Sequence, residues 1–586
     1  MSGLSQLISK LNSPRRTADH PILWSEERLT RYILLGLIVS IICAYSAVVR
    51  CDFIELDDRG HVFENPLVVS GLTWEGVKQA FLAPHACLWI PLTWISLMLD
   101  VSLFGMNPGA MHAINLVLHA TAAVLLFISL RRLTGRLWES AAVAALFGLH
   151  PINVESVAWV TERKNVLCAV FWALTLFAYA RFTERPQIGR YLTALGIFSL
   201  ALLAKPAAVT LPPTLLLLDV WPLRRHERVG WWRLLVEKIP FLCLVVFASW
   251  MQMSAVTPVS ATVLPIAARV SNALLSYVIY LRDFIYPAKL GLFYPHTKAI
   301  DFWGAGCSAV FLITVTGIAF KLRKTHPYLI VGWCWFLGNL VPNLGLIQVG
   351  GQARADRFTY MAQIGVFMAL VWLVRSLAGY KLLAGAVGGS LLAFACLTSR
   401  QVSFWMDSIT ICEHTLRVTE QNAPMLALAG LSYTQVGDYH KAVTHYHEAL
   451  RLRPWDADSA NNLGDALTQL GRDEEAVTAF TYGLQVNPQA HAIRRNLANT
   501  LLRLGKIGEA IPLLRGLAEA TPGDLEVQEQ LRKLDPARRP TDNSSEDSPA
   551  GEHLAPNSHP RAPELVPRSV EGGHEAHLDS HYSPRE

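Results

Sequence analysis

The chain has 586 residues, of which 52% are hydrophobic and 17% charged, and its mean hydropathy is +0.29. A soluble protein carries about 25% charged residues, so a wholly soluble chain is excluded and a membrane protein indicated. The net charge of +5 is small and spread out, which argues against a nucleic-acid partner.

The first apolar run, 32–50, follows Arg15, Arg16, Arg28 and Arg31 and reads as an uncleaved start-transfer helix after a cytoplasmic segment, 1–31. A bilayer core takes about 20 apolar residues per helix. Further spans are expected near 112–130, 137–150, 166–182, 191–204, 207–221, 239–256, 303–321, 328–347, 359–375 and 382–398. The segment 269–287 is expected as a re-entrant or interfacial helix. With it, the Lys/Arg-rich loops (Arg131/Arg132/Arg136, Arg181/Arg185/Arg190, Arg224/Arg225/Arg228, Lys321/Arg323/Lys324, Arg375/Lys381) alternate so as to put the N-terminus in the cytoplasm. The membrane body is then 32–400, about eleven spans, with the C-terminal part on the outer side.

The unusual polar residues gather in the loops assigned to that outer side. Asp57 and Asp58 follow the first span; adjacent carboxylates can supply a general base and a positioning group, and repulsion raises one pKa. A solvated turn is the alternative. His150-Pro151 opens a second cluster in which Glu155, Trp159, Glu162 and Arg163 share one face if 152–164 is helical. Arg163 and Lys164 at an outer surface oppose the positive-inside trend, and an anionic head group such as a lipid-linked phosphate would account for them; an ion pair with Glu155 or Glu162 is the alternative. Arg354 and Arg357 are spaced to face one another across a helical turn and could fork a phosphate, or pair with Asp356. Lys205 is one more external cation. Tyr286, Phe293 and Tyr294, with His296, read as interface anchors.

Beyond the membrane body, Pro454, Pro488 and Pro522 recur at a step of 34 residues, as do Gly437/Gly471/Gly505 and Ala442/Ala476/Ala510. That period and its helix–turn–helix punctuation identify tetratricopeptide (TPR) repeats at 422–454, 455–488 and 489–522, within a module spanning 401–535 with a partial leading unit, 402–421, and a cap helix, 524–534. Stacked repeats form a groove for a protein or peptide; a structural spacer is the alternative. Residues 536–586 are rich in Pro, Ser, Glu, His and Arg and are expected to be disordered. The cysteines and histidines keep no metal spacing, and no P-loop, GxGxxG in context, HExxH or GxSxG occurs, so no metal, cofactor or soluble nucleotide is expected.

Asp57-Asp58, Asn65-Pro66, Pro91-Leu-Thr, His112-Ala-Ile-Asn-Leu-Val-Leu-His119, His150-Pro151 with Glu155-Ser-Val-Ala-Trp159, Glu162-Arg-Lys-Asn165 and Ala355-Asp-Arg-Phe-Thr-Tyr360, joined to a TPR array, resemble the bacterial form of the transmembrane and TPR-containing O-mannosyltransferase-like family. The resemblance implies an all-α fold: a polytopic helical membrane domain of the glycosyltransferase C type followed by a TPR α-solenoid. It also implies an inner-membrane enzyme moving a sugar, mannose by family habit, from polyprenyl phosphate to Ser/Thr hydroxyls of an acceptor protein at the external face. Carried over, Asp57 or Asp58 would be the base, and Arg163, Lys164, Arg354 and Arg357 would hold the donor phosphate. His150, Glu155 and Glu162 would line the site, and the TPR groove would bind the acceptor or a partner. A non-catalytic, membrane-anchored TPR scaffold is the alternative, though one span would anchor it. In an enzyme Asp57/Asp58, Glu155, Arg163 and Arg357 should converge on one external cavity open to lipid; their dispersal would support the scaffold.

Overall fold

The computed structural model describes residues 23–255, 264–296, 300–346 and 350–534. The expected tail, 536–586, lies outside the described residues, as does most of the N-terminal segment expected to be cytoplasmic, 1–31. The chain divides into two compact units between Tyr433 and Thr434.

The first unit is built of helices, and each expected span falls on one. Leu23–Tyr45, Pro108–Thr134, Arg163–Glu184, Trp231–Ala255 and Phe302–Lys321 are long; Leu137–Leu149, Ile188–Ala204, Leu211–Val220 and Pro327–Leu340 are shorter. The last two expected spans are the halves of Ala362–Ser403, bent at Gly379, whose φ of 76° only glycine takes up freely. Among the described residues, six helices are long and apolar enough to cross a membrane, or seven if Leu137–Leu149 and Pro151–Ala158, bent by 52°, form one broken span. These mark an integral membrane protein. The eleven apolar runs in the sequence exceed this number because two of them share the bent helix Ala362–Ser403 and because Ile188–Ala204, Leu211–Val220 and Pro327–Leu340 are short. The segment expected to be re-entrant is the amphipathic helix Ile266–Ile285.

Helix ends follow local chemistry. Asn107 caps Pro108–Thr134 by accepting the Ala110 N–H at 3.1 Å, with Pro108 at the first position; Arg131 and Arg132 lie in its last turn and Gly135 closes it in the left-handed conformation. The basic loops meet one another: Arg131 donates to Thr30 at 2.7 Å and Arg132 pairs with Glu184 at 2.6 Å. Gly332 and Gly365 bring Pro327–Leu340 against Ala362–Ser403 so closely that a Cβ on either glycine would collide with the other's carbonyl oxygen.

The second unit is a TPR stack. Ala457–Gln469 packs on Asp473–Val486, and His491–Arg503 on Ile507–Ala520, with Leu525–Leu534 following. Gly471 and Gly505 turn these two pairs at φ of 72° and 74°, and Gly437 precedes Tyr439–Leu452 at φ of 79°, while Ala442, Ala476 and Ala510 are fully buried.

Candidate active site

The two aspartates go separate ways. Asp58 is fully buried, and its carboxylate accepts the backbone N–H of Ile54 at 2.9 Å, that of Thr161 at 2.8 Å and the Thr161 hydroxyl. Burial pushes its pKa up to about 7 against those hydrogen bonds. It therefore ties the loop after the first helix to the turn at 160–162. Asp57 is only partly buried. It opens a turn that continues as the π-helical segment Arg59–Phe63, a rare local winding.

The one-face helix expected over 152–164 is not formed. A 3₁₀ turn at Pro151–Asn153 leads into Val154–Ala158, Trp159 is extended, and a second 3₁₀ turn, Val160–Glu162, precedes the helix starting at Arg163. The break rotates Arg163 inward. It is fully buried, pairs with Asp100 at 2.6 Å, and also donates to Ser96 and Asn115 and to the Met111 carbonyl. A guanidinium so completely satisfied holds the bundle rather than a ligand. His150 is likewise interior: Nδ1 accepts the Ile152 N–H at 3.1 Å, and Nε2 donates to the Phe284 carbonyl at 3.0 Å.

Glu155 and Glu162 hold a cluster of cations. Glu155 takes the Arg357 guanidinium and also its backbone N–H at 2.6 Å. Glu162 is approached by Lys164 at 3.1 Å, Lys205 at 3.4 Å and Arg357 at 3.4 Å. Lys205 also donates to Asn165 at 2.6 Å. Burial pulls the Arg357 guanidinium down, but Glu155, Glu162 and Asp57 more than offset this and keep it protonated. The charge of Asp57 thus reaches this cluster.

Arg354 and Arg357 do not face one another. Arg354 ends the short strand Gln352–Arg354, which pairs antiparallel with Tyr294–Pro295, and Ala355 is extended, so no helical turn joins the two arginines. Arg354 lies 3.6 Å over the Tyr294 ring and 3.4 Å from Asp283. Tyr294 in turn donates to Asp356. It forms a second network beside the first.

Glu155, Glu162, Lys164 and Arg357 therefore belong to one cluster, on which the Asp57 charge acts through Arg357; Asp58, Arg163 and His150 do not join it and are buried among partners of their own. Two further residues were not assigned a role from the sequence. Lys205 was seen only as one cation more; the signal was its place just before Pro206, which opens a 3₁₀ turn at a helix end. His61 donates from Nδ1 to the Asp57 carbonyl at 2.8 Å; its spacing of four from Asp57 was the available cue.

Comparisons with known proteins agree with the resemblance. Residues 91–254 match the family described as dolichyl-phosphate-mannose-protein mannosyltransferase, and 430–471, 457–489 and 474–534 match TPR models. The chain is similar to Protein O-mannosyl-transferase Tmtc2 of Drosophila melanogaster, 31% identical over 179 residues, which are 28% of this chain and 19% of that one. It is also similar to Protein O-mannosyl-transferase TMTC1 of Mus musculus, 27% identical over 207 residues, 32% of this chain and 22% of that one. It thus spans about a fifth of the length of these curated relatives. A segment that matches a mannosyltransferase family model and TPR repeats are joined in one chain.

Proposed function

We propose that the protein is a membrane glycosyltransferase that moves a sugar, mannose on the relatives' names, from a polyprenyl-phosphate donor to Ser/Thr hydroxyls of an acceptor protein. The observation that carries this reading is that a partly exposed carboxylate, Asp57, acts electrostatically on Arg357, which shares Glu162 with two more cations, Lys164 and Lys205. Asp57 takes the proton of the acceptor hydroxyl. The oxygen forms a bond to the anomeric carbon, the bond from that carbon to the phosphate oxygen breaks, and the configuration inverts. The cations stabilise the charge gathering on the leaving phosphate. Phosphate neutralised by Lys and Arg calls for no metal or cofactor. Arg354, set over Tyr294 and paired with Asp283, stands in the neighbouring network and has no part in this step. The TPR stack binds the acceptor or a partner protein. The protein sits in a bacterial inner membrane with its N-terminus cytoplasmic and this site and the TPR unit external.

The test is transfer of radiolabelled sugar from a panel of polyprenyl-phosphate donors to protein in membranes, comparing the wild type with Asp57→Asn at equal expression. Transfer that disappears with Asp57 supports the enzyme and its base. Absence of transfer with every donor, or transfer indifferent to Asp57, favours a membrane-anchored TPR scaffold.

A further inference from the structure

The helix Ser408–Val418 touches two loops of the proposed site without carrying any of its charges. Asp407 caps it by accepting the Thr410 N–H at 2.7 Å, and its Ile411 and Cys412 are buried in the core of the membrane unit. At its start the chain holds the loop after the first helix. The Met406 carbonyl accepts the Asp52 N–H at 2.8 Å, and the Ser408 hydroxyl accepts the Glu55 N–H at 2.9 Å. At its end it holds the loop that leads into Tyr294. The Thr415 hydroxyl accepts the Leu292 N–H at 3.0 Å, His414 donates from Nε2 to the Leu290 carbonyl at 2.8 Å, and Asn422, just beyond the helix, donates to the Phe293 carbonyl at 2.9 Å. The His414 ring is fixed by stacking on Phe404, with centroids 3.7 Å apart and planes 8° apart. Gly291 passes so close that a Cβ there would lie 3.3 Å from side-chain carbons of Thr415 and Val418. The strand Tyr294–Pro295 continues this loop and pairs with Gln352–Arg354, and the Gln352 side chain accepts from the Arg357 guanidinium at 3.1 Å.

We propose that Ser408 and Thr415 are positioning residues, through which one helix sets Asp57 by way of the 52–57 loop and Arg357 by way of the 290–295 loop. The proposal rests on the transferase reading given above. Ile54 and Asp58 are pinned to one another and to Thr161, which leaves Ser408 to set the stretch between them, where Asp57 lies. Thr415 has the corresponding place on the other side: it fixes Leu292, and the strand that follows fixes Gln352 against Arg357. The two arms are separable. Ser408 and Thr415 stand about two turns apart on the helix, and each meets a different loop through one hydroxyl that accepts one backbone N–H. Both residues are buried. An N–H left there without its acceptor costs more than the bond itself contributes, so a loop that loses its hydroxyl shifts to find another partner. A displacement of about 1 Å at a reacting group is enough to slow a reaction on the order of a hundredfold.

Two measurements on the full-length protein in detergent decide it. Amide hydrogen–deuterium exchange needs no activity. Ser408→Ala is expected to speed exchange in peptides covering 52–58 and to leave 290–296 as in the wild type, and Thr415→Val to do the reverse. Loosening of both loops by either substitution, or of neither, overturns the division. Steady-state transfer is the second measurement. Ser408→Ala is expected to lower kcat on the order of a hundredfold with the KM for the polyprenyl-phosphate donor little changed, because only the base is displaced. Thr415→Val is expected to raise that KM about tenfold with kcat little changed, because only the arginine is displaced. Ser408→Thr and Thr415→Ser keep the hydroxyl and should restore wild-type values. The same change in kcat and KM from both substitutions, or no rescue by the hydroxyl-bearing variants, shows that the helix only supports the fold and overturns the proposal. If Ser408→Ala or Thr415→Val aggregates on size exclusion, Ser408→Cys or Thr415→Cys, whose thiol accepts only weakly, replaces it under the same criteria. A wild type without transfer from any donor fails the transferase reading, and the positioning role with it, while the exchange still reports separately whether one helix holds both loops.

Discussion

At the scale of single residues, the two neighbouring aspartates have opposite duties. Asp57→Asn removes the proposed base from a partly exposed position. Sugar transfer is expected to fall on the order of 10²–10⁴-fold with an unchanged melting temperature. Asp58 answers to pH instead. Its folded pKa of about 7 lies above the ordinary 3.8, so the folded state keeps a proton that the unfolded chain has released. The stability from this group is complete below the unfolded value and is lost as pH rises through 7. The wild type should lose more thermal stability than Asp58→Asn between those two limits, by scanning fluorimetry across the range. Equal slopes would show that Asp58 is ionised throughout. Arg357 takes Glu155 and Glu162 with separate nitrogens and lies 5.1 Å over the Trp159 ring. Arg357→Lys loses this forked geometry, and the KM for donor is expected to rise about tenfold, as one charge-assisted contact of 1.5–3 kcal/mol allows.

At the scale of elements, the helices were legible because apolar length is written directly in the chain, and the TPR pairs because their turns demand glycine at a fixed step. What the sequence hid were the breaks. Trp159 gives no local sign that it will be extended, so a helical wheel carried Arg163 to the wrong side; Ala355 does the same between Arg354 and Arg357. The clustering of Lys205 with Glu162 joins residues 43 apart, and local periodicity holds no information on such a pairing. The separation of Asp58 from Asp57 depends on Thr161, more than a hundred positions away. Close helix packing makes its own prediction. Gly365→Val would drive a side chain into the Gly332 carbonyl and Trp335, so it should lower the yield of monodisperse protein in detergent far more than Gly385→Val, where space is open. In the repeat unit, Gly471→Val sits at φ of 72° and should cost about 1–2 kcal/mol, read as earlier loss of helicity.

At the scale of the whole molecule, the membrane unit carries the proposed chemistry and the repeat unit the proposed recognition. Ending the chain before Thr434 should therefore spare slow hydrolysis of the sugar donor while reducing transfer to protein; loss of both would mean that the repeats are needed for the membrane unit to fold. The Glu162 carboxylate adds a consequence for turnover. Lys164, Lys205 and Arg357 share this anion, so in the proposed reaction a departing lipid phosphate would compete with a built-in rival. That competition would shorten the stay of the spent carrier: with Glu162→Gln, free polyprenyl phosphate is expected to become the stronger inhibitor of the proposed transfer.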